Sequence, residues 1–155
     1  MNNYLCLFLF ILTGCGSASS SNISNTTPTI VSTIPIHGDA DVEFVRIVQT
    51  GLNTYTFDVT VLHEDIGWDD YADGWDVVLP DGSIVKKDGD NTTFTRLLVH
   101  PHETEQPFTR SQSGLVISAE TVTVRAHDLV HGFGGRTVTI DMTASKGERF
   151  VIERD

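Results

Sequence analysis

From Asp41 onward the chain alternates. Tyr55, Phe57, Val59 and Val61 are separated by Thr54, Thr56, Asp58 and Thr60. Val122, Val124 and Ala126 alternate with Thr121, Thr123, Arg125 and His127, and Val138, Ile140 and Met142 with Thr137, Thr139 and Asp141. One apolar face and one Thr-rich face at period two is the pattern of half-buried antiparallel strands. No segment of helical length carries an i, i+3, i+4 apolar stripe. Further strands are expected near 42–48, 74–79, 83–87, 92–100, 114–118 and 148–153.

The connections have identifiable turn chemistry. Pro80-Asp81-Gly82-Ser83 reads as a tight hairpin turn, with proline presetting φ and glycine accepting positive φ. Asp88-Gly89-Asp90-Asn91 reads as another, and Gly132 to Gly135 joins the last two alternating segments. About eight or nine short strands at this spacing predict an all-β fold, an antiparallel β-sandwich of immunoglobulin or fibronectin type. A small barrel is the alternative. The segment 92–100 has two readings of opposite consequence. Either Leu97 and Val99 face the core, or Phe94 and Leu98 do, which turns the following histidines toward the end of the sandwich.

The first charged side chain is Asp39, so all ten basic and twenty-one acidic residues follow residue 38, and the net charge is -11. Such a boundary separates a leader from a soluble domain. The basic residues are scattered, and the one adjacent pair, Lys86-Lys87, sits beside Asp88 and Asp90, so nothing gathers the positive charge that a nucleic-acid partner requires. Acidity favours solubility and suits cations or basic partners.

Before the boundary, the apolar run YLCLFLFIL (4–12) is too short to span a bilayer and fits the h-region of an export signal. Leu12-Thr13-Gly14-Cys15 follows it. This motif resembles the lipobox of bacterial lipoproteins. The resemblance implies a signal peptide at 1–14, cleavage before Cys15, acyl chains such as palmitate on its thiol, and anchoring of an exported protein to a membrane of the cell envelope. Met1-Asn2-Asn3 departs from the pattern in lacking Lys or Arg. Gly16 stands where an Asp would favour inner-membrane retention, which implies the outer membrane in a Gram-negative cell. Several acyl chains make such an anchor effectively permanent. With Cys6 removed and Cys15 lipidated, no thiol remains for a disulfide, catalysis or a metal.

Residues 15–33, rich in Ser, Thr and Asn without charge or periodicity, read as a flexible tether, and 34–155 as the β domain. Asn22, Asn25 and Asn91 begin N-x-Ser/Thr triplets that read as chance. The β domain is also similar to small exported bacterial proteins of no assigned activity, through GWDDYADGW (67–75), HPHETEQPFTRS (100–111) and RAHDLVHGFGG (125–135). That resemblance implies no ligand and no reaction.

Two groups of residues have candidate chemistry. His100 and His102 flank Pro101, and His127 and His131 lie at a strand end and in the loop after it. Imidazoles at this spacing suit Zn²⁺ or Cu²⁺ if the two segments meet, with Glu103, Glu105 and Asp128 orienting the rings. The alternative is that these rings brace a long loop. His63 continues the face of Tyr55 to Val61 and reads as a satisfied strand-end residue. The second group is acidic and aromatic: Trp68, Asp69, Asp70, Tyr71 and Asp73, with Asp65, Trp75 and Asp76. Trp75 reads as core, whereas Trp68 and Tyr71 suit stacking on a sugar of a glycan partner, and the carboxylates suit calcium. Turn formation by the aspartates is the competing reading, since the spacing departs from the calcium-loop pattern.

No nucleophile elbow, zinc-protease motif or nucleotide loop is present. Ser111 and Ser113 near His100 and His102 do not define a triad, and Arg110 with Glu105 and Gln106 reads as a polar brace. The sequence therefore supports a membrane-tethered binding or structural module. An envelope metal-binding protein is the alternative, and a hydrolase a remote one.

Overall fold

A computed structural model of the chain describes residues 38–154. The expected signal peptide and tether, with Cys15, and residues 34–37 of the expected domain lie outside the described residues. Eight strands and no helix occur among those that are described: β1 Asp41–Gly51, β2 Thr54–Leu62, β3 Ala72–Val78, β4 Arg96–Leu97, β5 Phe108–Val116, β6 Thr121–Asp128, β7 Val138–Asp141 and β8 Phe150–Glu153. They form two four-stranded sheets, ordered β5-β2-β1-β8 and β4-β3-β6-β7. The inward residues of both sheets share one core, with Val45, Ile47, Phe57, Val59, Leu115 and Ile152 from the first meeting Trp75, Val77, Val122, Val124 and Ile140 from the second. The layers thus follow the sandwich plan, in which each sheet hides its apolar face against the other.

The alternating segments form strands where period two predicts them, and local breaks in the period have local causes. On β1, Val42 and Val45 both point inward although they are three apart. A register shift between Val42 and Phe44 absorbs the extra residue and leaves Phe44 on the outside. On β3 a shift between Ala72 and Gly74 puts both Ala72 and Trp75 in the core. The first turn closes on Asn53 at φ 53°, a left-handed position that asparagine tolerates.

Four expectations change. The segment 83–87 is not a strand. It follows the Pro80–Ser83 turn back along β3 through the Val78–Ile84 bridge and the Val85 amide to the Val77 carbonyl, then arches away as Lys86 bonds the Thr92 carbonyl. The segment 92–100 keeps only the two residues of β4, with Phe94 and Leu98 buried and Leu97 and Val99 exposed. β5 begins at Phe108, not near 114, because its first half carries Arg110 and Gln112 on the half-buried face. The pairing is also not wholly antiparallel: β8 runs parallel to β1, with Val45 opposite Phe150 and Val48 opposite Glu153.

Candidate functional site

Strand direction brings the polar groups together. β1 and β3 begin, and β2 and β6 end, at one end of the molecule, since Asp41 pairs with Leu62 and Ala72 with Asp128. The β2–β3 loop carries Asp65 to Tyr71, and the connection from β4 to β5 carries His100 to Gln106. The turn after β6 adds His131 at the same end. The five histidines among the described residues therefore lie at or near this end, and the acidic-aromatic group of 65–73 lies among them.

Asp65 organises the loops. One carboxylate oxygen accepts from His63 Nδ1 at 2.6 Å and from the Ala72 amide at 3.1 Å; the other accepts the His102 amide at 2.5 Å. Burial alone raises a carboxyl's pKa, but these bonds to His63, His102 and Ala72 outweigh it and hold Asp65 below the usual carboxylate range. Burial likewise pulls the His63 imidazole down, and the bond to Asp65 with the charges of Asp65 and Asp128 outweighs it, so His63 sits above its ordinary value. Its Nε2 donates to the Gly38 carbonyl at 3.0 Å and lies 3.6 Å from Asp70 Oδ1.

The four histidines expected to share a metal are divided among three surroundings. His102 is buried, stacked on Phe108 at 3.8 Å between centroids and 9° between planes, and neither ring nitrogen has a hydrogen-bond partner. Burial, then the charges of Arg110 and His100, push its pKa down. His100 lies over it at 4.5 Å but is exposed. The pair borders a 330 Å³ cleft with Trp68, Pro101 and Glu103. His127 Nδ1 meets Asp73 at 2.5 Å on the outer face of the second sheet, in a 420 Å³ cleft with Phe94, Arg125 and Phe133. His131 Nδ1 meets Asp128 at 3.2 Å.

Among the described residues, groups of three donors within 4.8 Å of one another are His63–Asp70–Asp128 and Asp39–Asp128–His131. The sequence reads His63 as a satisfied strand-end residue and Asp128 as orienting nearby imidazoles, and the structure gives both a place in these groups. The parity that places His63 after Val61 on an inward row also places Asp128 after Ala126.

Of the aromatic candidates, Trp68 is 67% exposed and meets Tyr71 edge to face at 5.9 Å. Asp69 is exposed beside it. Trp75 is fully buried in the core. Ser111 donates to Asp58 at 2.6 Å, and Arg110 pairs with Glu105 at 2.8 Å, as a brace would.

No protein-family model matches the chain, and no solved structure matches it. Over 104 residues it is 38% identical to a protein of Halomicrobium mukohataei named "Putative lipoprotein", a match covering 66% of this chain and 47% of the relative. The chain thus spans about half the length of the curated relative it matches. Residues 1–37 and 155 are too few to hold such a match, so most of it falls within the described β domain.

Proposed function

We propose that the protein is an exported lipoprotein whose β-sandwich, of immunoglobulin or fibronectin type, is held on a membrane by acyl chains on Cys15 and serves the cell envelope as a binding or structural module. The coincidence of two signals carries this reading: a lipobox-like Leu12-Thr13-Gly14-Cys15 behind an apolar run, and 38% identity to a relative with lipoprotein in its name.

The strand order supports the immunoglobulin-like part. Lettered along the chain, β3, β6 and β7 take the places of C, F and G, with β4 as C′ beside C; β1, β2 and β5 take those of A, B and E. The net charge of -11 supports a partner that is neutral or basic.

The test is detergent phase partition of wild type and Cys15→Ser. Wild type enters the detergent phase. The variant stays in the aqueous phase with the same β-type circular dichroism and the same melt. A variant that still partitions with detergent refutes the anchor.

A further inference from the structure

Two inward rows of side chains, one from each sheet, end on groups foreign to an apolar core. His63 and Asp128 are both fully buried. Asp70 reaches them from the β2–β3 loop, and its Oδ1 is buried without a hydrogen-bond donor. A buried carboxylate oxygen without a donor is costly, and the His63 Nε2–H that lies 3.6 Å away is directed to the Gly38 carbonyl instead. The Nδ1 side of His63 is held by Asp65 at 2.6 Å, the arrangement in which a carboxylate fixes an imidazole so that its other nitrogen can meet a metal.

That other nitrogen, Nε2, lies 3.6 Å from Asp70 Oδ1. Donors around a tetrahedral zinc ion with bonds of about 2.0–2.1 Å stand ~3.3 Å from one another. This pair needs only a small contraction, and the Asp128 donor lies within 4.8 Å of both.

We infer that His63, Asp70 and Asp128 hold a single Zn²⁺ ion at the end of the sandwich, oriented by Asp65. Asp39 and His131 form a second donor group on the same Asp128. One imidazole with carboxylates suits zinc. A set with one nitrogen is poor for the tetragonal nitrogen-rich field of Cu²⁺, and three side chains are too few for calcium's six to eight oxygens. On binding, Zn²⁺ replaces the proton on His63 Nε2, which leaves to solvent, and the Gly38 carbonyl gives up that donor. The site is independent of the lipid anchor, and Cys15→Ser leaves it intact.

The test uses the full chain in detergent, without a histidine tag, stripped with chelator and titrated calorimetrically with Zn²⁺, alongside thermal melts. Wild type binds one Zn²⁺ per chain and its melting temperature rises. Asp70→Asn removes both effects, while its metal-free melt equals or exceeds that of wild type, because the substituted oxygen accepts no hydrogen bond. Asp65→Asn weakens binding about 10–100-fold. His100→Ala and His127→Ala keep wild-type affinity.

The inference is overturned by a wild type that binds no Zn²⁺, or by an Asp70→Asn that binds as wild type does. It is equally overturned by an unfolded Asp70→Asn, by loss of binding in His100→Ala or His127→Ala, or by a response to Ca²⁺ in place of Zn²⁺.

Discussion

Replacing Trp75 tests the core at its largest fully buried side chain. A buried indole removes about 200 Å² from water, worth roughly 5 kcal/mol at ~25 cal/mol per Å². Against this, Nε1 is buried without an acceptor, a defect of about 1–3 kcal/mol that truncation relieves. The cavity left behind adds back a comparable amount, so Trp75→Ala is expected to cost about 3–5 kcal/mol. Trp75→Phe is the sharper variant. It gives up roughly a quarter of the buried area, about 1 kcal/mol, and also removes the orphaned N–H, so its net change is within about 1 kcal/mol of zero. Urea unfolding followed by circular dichroism, with the m-value held as a check, measures both. A phenylalanine variant as damaged as the alanine one would refute the orphaned-donor argument. An alanine variant losing less than about 1 kcal/mol would refute the core placement.

Two further variants address the surroundings of the site. A Cβ at Gly74 would overlap the Phe94 ring that covers β3, so Gly74→Ala should cost about 1–3 kcal/mol. The loss should shrink when Phe94→Ala is added, which a double-mutant cycle reads directly. His102→Phe replaces two unpartnered buried nitrogens while keeping the stack on Phe108, so its melting temperature at pH 7 should equal or exceed that of wild type.

The same residue has a pH signature. Burial, Arg110 and His100 lower the folded pKa of His102 against the smaller pull of Asp65 and Glu105. The unfolded chain therefore takes the proton first, and stability falls as pH drops below about 6.5. His102→Phe should lack that part of the fall, so its advantage over wild type should widen from pH 7 to pH 5. A constant difference in melting temperature would count against it.

The strands with unbroken alternation, β2, β6 and β7, were legible because every second residue is Val, Ile, Phe, Tyr or Ala. β5 was only half legible. Its row of Phe108, Arg110 and Gln112 shifts parity at Gly114, φ 75°, so that Leu115 points inward. A period-two count sees only the part after the shift. The parallel partner of β1 lay beyond reach, since nothing local in Phe150 to Glu153 encodes which edge it joins.

At the site, the crowding of histidines and aspartates was visible as two separate groups, and topology places them at one end. That His63, Asp70 and Asp128 face one another was not legible, because it depends on how the two sheets and the β2–β3 loop meet. The parity of His63 pointed it inward, but no single strand encodes which groups of the other sheet and of the loop meet it.

The parallel pairing of β1 with β8 has a mechanical consequence. β1 enters at the end that carries the histidines and aspartates, and β8 runs away from it. A force drawing the beginning of β1 and the end of β8 apart would therefore act along the strands and slide them past each other. All four paired positions, with the clasp of Arg46 on Glu153 at 2.6 Å, would share that load at once instead of opening one by one like a zip. A domain stretched between these two points resists in shear, the stiff direction of a sheet.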